Sequence, residues 1–249
     1  QTIGFGPVGA RLPVMQGTSF AFVPVMIGAA KMGMGTLFGG IVIGGLFHAF
    51  MGSFIGKIRH WFPPLVSGII ILAIGIYLIP VGIQYAAGGA GEFNMSKPTW
   101  GGLGNWSLAI IVILVSFGLK FWTKGIMSSS SVLLGMIVAY IVAILMGDVN
   151  FSGVSKAAWF ALPEPFKYGF DINLTVIIAM CLMSIVSAIE TVGDISGIAK
   201  GGANREATDK ELQGGTYADG IGTAVAGIFG GLPNTSFSQN VGLISMTGV

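Results

Sequence analysis

Apolar residues run through this chain in long, nearly unbroken blocks separated by short polar connections. Residues 32–55, 62–87, 106–121, 129–146, 172–189 and 216–231 each read as a helix crossing a bilayer, because a span needs about 20 largely apolar residues. Two further apolar segments, one near each end, are interrupted, which brings the pattern to roughly eight crossings. Near the start, Leu12-Pro13 is followed by Gly17-Thr18-Ser19-Phe20-Ala21-Phe22-Val23-Pro24. Near the end, Leu232-Pro233-Asn234-Thr235-Ser236-Phe237-Ser238-Gln239-Asn240-Val241-Gly242 repeats the Leu-Pro and the Thr-Ser-Phe. Alternation predicts a short strand over 18–22 and a half-helix over 23–30, with Pro24 in a first turn where its missing N–H is tolerated. The second break predicts an extended run over 235–238 and a new helix starting at the carboxamides Gln239 and Asn240. Backbone that is neither helix nor closed barrel is tolerated at membrane depth only where it is buried in protein or lines a cavity. Both breaks are therefore candidate binding elements.

Composition agrees with the pattern. Hydrophobic residues make up 53% of the chain and charged residues 9%, against about 25% charged in soluble proteins, and the mean hydropathy is +0.83. This is the profile of an all-α polytopic membrane protein and excludes a soluble domain. Glycine is frequent, 41 of 249 residues, and its clustering within spans, as at Gly39, Gly40, Gly44 and Gly45, marks faces where helices approach closely in lipid. The single cysteine, Cys181, excludes an internal disulfide or a multi-cysteine metal site. The first residue is not Met and the last falls inside an unfinished helical stretch, so the chain is expected to be a piece of a longer protein.

The cations sort by side. Arg11, Lys57, Arg59, Lys120, Lys124, Lys200, Arg205 and Lys210 are eight of the twelve Lys/Arg residues and fall on one side if the spans alternate, whereas Lys31, Lys97, Lys156 and Lys167 fall on the other. The richer side is cytoplasmic by the positive-inside rule. Residues 88–105 and 147–171 then read as external capping loops and residues 201–215 as a solvated cytoplasmic loop. His48, within a span, reads as a packed, hydrogen-bonded histidine outside any site.

Candidate chemistry concentrates where polar residues enter apolar helices. Glu190 and Asp194 are four apart and Ser187 precedes Glu190 by three, so all three share one helical face. An ionisable residue inside a span is expensive and usually faces a cavity or a partner. Asp194 can alternatively meet water at the cytoplasmic end of its helix. A carboxyl able to exchange protons in such a site is a natural coupling group, and Glu190 carries that reading best. Asp219, in Tyr217-Ala218-Asp219-Gly220, either joins the site or caps the helix it opens. The carboxamides of Gln239 and Asn240 offer donors and acceptors together, which suits the edge of a small heterocycle with alternating C=O and N–H groups. Phe20 can stack on such a ring, and free N–H groups at the two half-helix starts can receive its carbonyls. Two Gly/Pro-interrupted segments in corresponding positions of two halves also point to the midplane site of an inverted-repeat transporter.

These residues resemble a known family, the nucleobase-ascorbate transporters. Gln239-Asn240-Val241-Gly242-Leu243-Ile244-Ser245-Met246-Thr247-Gly248 fits that family's signature of Gln/Glu-Asn-x-Gly, four variable positions, Thr, then Arg/Lys/Gly. Glu190 with Gly193-Asp194, the Ala218-Asp219-Gly220 turn and Thr18-Ser19-Phe20-Ala21 fit further family positions in order. The resemblance implies fourteen segments in two inverted repeats of seven, with a short strand leading into each of two half-helices at the substrate site. Residues 1–56 and 149–249 would belong to a core domain and 57–148 to a gate domain. It further implies substrate binding by Phe20, Glu190, Phe237, Ser238, Gln239 and Asn240 and proton coupling by Glu190, Asp194 and Asp219. Neither a metal nor a cofactor is implied, and the partners are a small nucleobase, a proton and the lipid bilayer, with no nucleic acid. A homodimer in the full-length parent and a multi-pass place in a bacterial cell membrane are expected. Pyrimidine carriers of the family tend to have Glu at the Gln239 position and His at the Asp194 position, so the resemblance favours oxidised purines, xanthine or uric acid, taken up by proton symport.

A uracil permease of the same family and an anion transporter of the same fold are the alternatives. The family's first-segment Gln-His motif falls outside this chain. An intramembrane aspartyl protease would need a Gly-x-Gly-Asp sequence and a second mid-span aspartate, and Thr191-Val192-Gly193-Asp194 lacks the first glycine. An enzyme is not expected.

Overall fold

The computed structural model describes residues 1–58 and 64–247; Arg59, Phe62 and Gly248, which figure in the charge pattern, a predicted span and the signature, lie outside the described residues. In chain order the elements are β1 (Gln16–Thr18), a 3-10 turn (Phe20–Phe22), α1 (Val23–Met32), α2 (Met34–Ile58), α3 (Pro64–Ala86), α4 (Glu92–Met95) and α5 (Leu103–Trp122). There follow α6 (Ile126–Ser129), α7 (Ser131–Met146), α8 (Ser152–Lys156), α9 (Leu174–Ala203), α10 (Asp209–Ile228), β2 (Asn234–Ser236) and α11 (Gln239–Thr247). Contacts divide the chain into two units, Gln1–Gly75 with Leu162–Val249, and Ile76–Ala161.

Among the described residues, three helices are long and apolar enough to cross a membrane: Met34–Lys57, Leu103–Trp122 and Leu174–Ala203. Of the other predicted spans, 62–87 falls on the 23-residue α3, and two meet that criterion less fully. α7 has 16 residues, and α10 begins with Asp209, Lys210 and Glu211 and carries Asp219 further on.

The first unit is built on α2, α9 and α10. α2 and α10 lie in close contact through small residues: a Cβ on Gly220 would strike the Ala49 backbone, and one on Gly45 would strike that of Ala224. Such contacts let backbones approach where lipid supplies no hydrophobic pull between helices. α9 seals the other side of α2, with Ser184 Oγ donating to the Gly44 carbonyl at 3.0 Å. Phe22, Phe38, Ile41 and Met180 form one buried cluster, and Ile55, Ile195, Ile198, Leu212 and Ile244 another.

α9 departs from expectation in length. Its apolar block weakens after Ile189, yet the helix continues to Ala203 because Val192, Ile195, Ile198 and Ala199 extend the buried face. It ends where Asn204 turns left-handed at φ 50° and returns its N–H to the Lys200 carbonyl at 3.1 Å, a common C-terminal stop. α10 starts seven residues earlier than the predicted 216, at Asp209, with Thr208 as its cap. The Thr208 N–H donates to Glu211 Oε2 at 2.8 Å, and the Glu211 N–H donates to Thr208 Oγ1 at 3.3 Å. This reciprocal box satisfies two donors that a helix start leaves open. The solvated loop expected over 201–215 therefore shrinks to the short turn between the two helices, and Asp219 is no cap.

β1 and β2 pair antiparallel in the register Gln16↔Ser236, Gly17↔Thr235 and Thr18↔Asn234. One further bond at each end continues the ladder: the Phe237 N–H to the Met15 carbonyl at 3.0 Å and the Ser19 N–H to the Pro233 carbonyl at 2.7 Å. The two interrupted segments thus satisfy each other's backbone, as non-helical chain must at membrane depth. The strand predicted over 18–22 lies earlier, and Phe20–Phe22 is wound into a 3-10 turn. Ala21 and Phe22, adjacent in sequence, are both buried, whereas a strand with one exposed face would alternate.

In the second unit α5 and α7 pack together, with Gly135 against Ser116. Their remaining faces expose Ile113, Leu114, Phe117, Leu133 and Ile137, as helices solvated by lipid do.

Candidate functional site

The α9 face predicted from Ser187, Glu190 and Asp194 is turned toward β2. Ser187 Oγ donates to Thr235 Oγ1 at 3.2 Å, and seven residues on along α9, Ser236 Oγ donates to Asp194 Oδ2 at 2.8 Å. Asp194 is 2% exposed, so the alternative of a carboxylate meeting water at a helix end is overturned: α9 runs beyond it and the strand covers it.

Asp219 is fully buried in α10 and collects donors from four segments. Gln16 Nε2 reaches Oδ1 at 2.5 Å and Gln1 Nε2 the same oxygen at 3.1 Å. On the other oxygen, Thr191 Oγ1 lies at 2.5 Å and the Ser236 N–H donates at 3.2 Å. Gln16 and Thr191 were not singled out from the sequence. Thr191 carried a usable signal, since it follows Ser187 by four and lies on the same helical face; Gln16 carried none beyond its place in a strand.

Glu190 differs from both aspartates. It lies half-buried on the same face, its Oε2 is shut away from solvent, and no group among the described residues hydrogen-bonds that oxygen. Asp194 and Asp219 are near enough for their charges to act on it. The site therefore holds three carboxyls, two supplied with donors and one with an orphaned oxygen.

The remaining predicted residues sit where β2 passes into α11. Gln239, the first residue of α11, is exposed, while Phe237 and Ser238 are half-buried. The Phe237 ring lies across Gly17, where a Cβ would come within 2.5 Å of Cζ, so β1 needs glycine at that position. Phe20 is 58% exposed and leaves a free aromatic face. Asn240 is buried and donates from Nδ2 to the Pro13 carbonyl at 2.6 Å, which makes it a brace between the two interrupted segments.

Two expectations change here. The half-helix starts offer fewer free N–H groups than predicted, because entering turns consume them. Val23 donates to the Phe20 carbonyl, Asn240 to Phe237 at 2.9 Å and Val241 to Ser238 at 3.2 Å. His48 is buried as expected but not hydrogen-bonded: neither ring nitrogen has a partner among the described residues. Among the described residues no group of three or more His, Cys, Asp or Glu side chains is arranged to hold a metal ion.

Crossed half-helix strands closed over carboxylates, inside glycine-packed apolar helices, are the architecture of a membrane-embedded transporter. The chain belongs to the Permease family, Xan_ur_permease, whose pattern matches residues 1–249. It is 35% identical over 254 residues to the uric acid transporter UacT of Escherichia coli strain K12, covering 100% of this chain and 52% of the relative. It is 36% identical over 243 residues to a xanthine permease of Bacillus subtilis strain 168, covering 97% of this chain and 54% of the relative. The chain thus spans about half the length of the curated relatives it matches. Among solved structures it resembles the transmembrane domain of the cyanobacterial bicarbonate transporter BicA, with a TM-score of 0.66 and 18% identity over 95% of this chain and 64% of that one. That likeness concerns the fold. The relatives are permeases, not enzymes.

Proposed function

We propose that this chain is part of a secondary active transporter that takes up oxidised purines, xanthine or uric acid, by proton symport across a bacterial cell membrane. In this reading the two interrupted segments are the third and tenth segments of two inverted repeats. Residues 1–56 and 149–249 belong to the substrate-holding core domain and residues 57–148 to the gate. The observation that carries the reading is Glu190, a carboxylate in an apolar helix whose buried oxygen has no partner among the described residues. Such a group is retained at a cost and is best explained by a ligand that satisfies it. A purine bearing N–H groups supplies the missing donor.

Phe20 would stack on the ring, and Gln239, exposed at the start of α11, would read its edge by donating and accepting at once. Phe237 and Ser238 line the approach. Glu190, Asp194 and Asp219 carry the proton coupling, and Asp219, supplied with four donors, also holds the strand crossing. Support comes from the relatives named for xanthine and uric acid and from Gln239 and Asp194, which depart from the pattern of pyrimidine carriers. The test is uptake of labelled xanthine, urate and uracil by the full-length parent, with and without a pH gradient. Accumulation of xanthine or urate that collapses with the gradient is expected; preference for uracil, or uptake indifferent to the gradient, would overturn substrate class or coupling respectively.

A further inference from the structure

Gln16 is the residue around which the strand crossing closes. Its Cα partner across the ladder is Ser236, and this one cross-strand pair grips carboxyls on two different helices. The Gln16 side chain donates to Asp219 Oδ1 at 2.5 Å, while the backbone N–H of Ser236 donates to Asp219 Oδ2 at 3.2 Å. The hydroxyl of Ser236 then donates to Asp194 Oδ2 at 2.8 Å. Asp219 is thereby fixed from both oxygens, and Asp194 is tied to the same pair. Glu190 stands one turn before Asp194 on α9, so the geometry of the crossing sets where that helix face lies.

We propose that Gln16 is a positioning residue of the transport cycle: through Asp219 and its strand partner Ser236 it holds the α9 face that carries Asp194 and Glu190 against the crossing strands. The carboxamide is the chemistry required. It donates to a buried carboxylate without adding a charge, whereas an aliphatic side chain would leave Asp219 Oδ1 with the longer Gln1 contact alone, and a carboxylate would oppose it. The titratable groups brought here by the packed elements are Glu190 and Asp194 on α9 and Asp219 on α10; the His48 backbone on α2 packs at Gly220, and the Arg11 guanidinium is directed to the Gly6 carbonyl.

The inference rests on the transport reading for its activity arm, and a second arm is independent of it. Gln16→Glu and Gln16→Leu are made in the full-length parent. Xanthine and urate uptake is normalised to the unmodified protein at about pH 8 and about pH 5.5, either side of the range in which a shared carboxyl proton is gained. Gln16→Glu is expected to take up purine about tenfold more slowly at the higher pH, the scale of one lost buried hydrogen bond. At the lower pH it should return to within about threefold, because one proton shared between the two carboxyls rebuilds the bond. Gln16→Leu, which cannot regain it, should be impaired equally at both.

Thermal melting of the detergent-purified protein without substrate should follow the same order, Gln16→Glu recovering at acid pH and Gln16→Leu not. A Gln16→Glu loss equal at the two pH values in both assays, or none in either, overturns the proposal. Absence of purine uptake by the unmodified parent overturns the transport reading instead, and melting alone then judges Gln16. If Gln16→Glu fails to fold, Gln16→Glu with Asp219→Asn, which reverses the sense of the hydrogen bond, should restore a melting transition at the higher pH, and failure of that rescue also overturns the proposal.

Discussion

Glu190→Gln should separate stability from function. The buried Oε2 has no hydrogen-bond partner among the described residues, and Asp194 and Asp219 add like charge nearby. A buried polar atom left unsatisfied costs about 1–3 kcal/mol, more if charged. Glutamine keeps the shape and removes the like-charge repulsion, so the variant should be more stable by about 1 kcal/mol, read as a higher melting midpoint of the full-length parent. Binding should move the other way. A hydrogen bond from a purine N–H to a carboxylate contributes about 1.5–3 kcal/mol, so its loss weakens affinity by roughly ten- to 150-fold. Melting and equilibrium binding of labelled xanthine, measured on the same detergent-purified parent, test both signs at once. A variant that melts lower and binds normally would refute the reasoning, because the carboxylate would then be an anchor of the fold.

Three further outcomes are expected. Gln239→Glu, which loses the amide donor and faces purine acceptors with a carboxylate, should reduce xanthine or urate affinity about ten- to hundredfold, read by competition binding on the purified parent. Gly220→Leu should separate α2 from α10, where even a Cβ meets the Ala49 backbone; overpacking costs about 1–3 kcal/mol or more, and the measure is the yield of folded, monodisperse protein in detergent. Glu211, held by a bond of 2.6 Å from Arg205 Nη2 and by Thr208, has its pKa pulled from 4.5 down to about 2. A depressed carboxyl stabilises the fold above its unfolded pKa and loses that contribution as pH falls through the folded one. Glu211→Gln should therefore melt lower than the parent at neutral pH, and the gap should close between about pH 4.5 and about pH 2.

What the sequence disclosed and what it withheld follow from range. Glu190, Asp194 and Asp219 stand out because charge in an apolar helix is expensive wherever it occurs, and Pro24 and the Gly230-Gly231-Leu232-Pro233 break mark the half-helices by local backbone chemistry. The extent of α9 was illegible because hydropathy falls at Glu190, while continuation is decided by Ile195 and Ile198 packing against residues far along the chain. The partner of Asp219 was illegible for the same reason: Gln16 is 203 positions away, and only the β1–β2 register brings it near. That register also separates the roles of the three carboxyls, which residue type and spacing leave equivalent. Ser236 and Gln16 commit Asp194 and Asp219 to the protein's own donors, while Glu190 receives none at Oε2 among the described residues, and the proposed ligand contact rests on that difference.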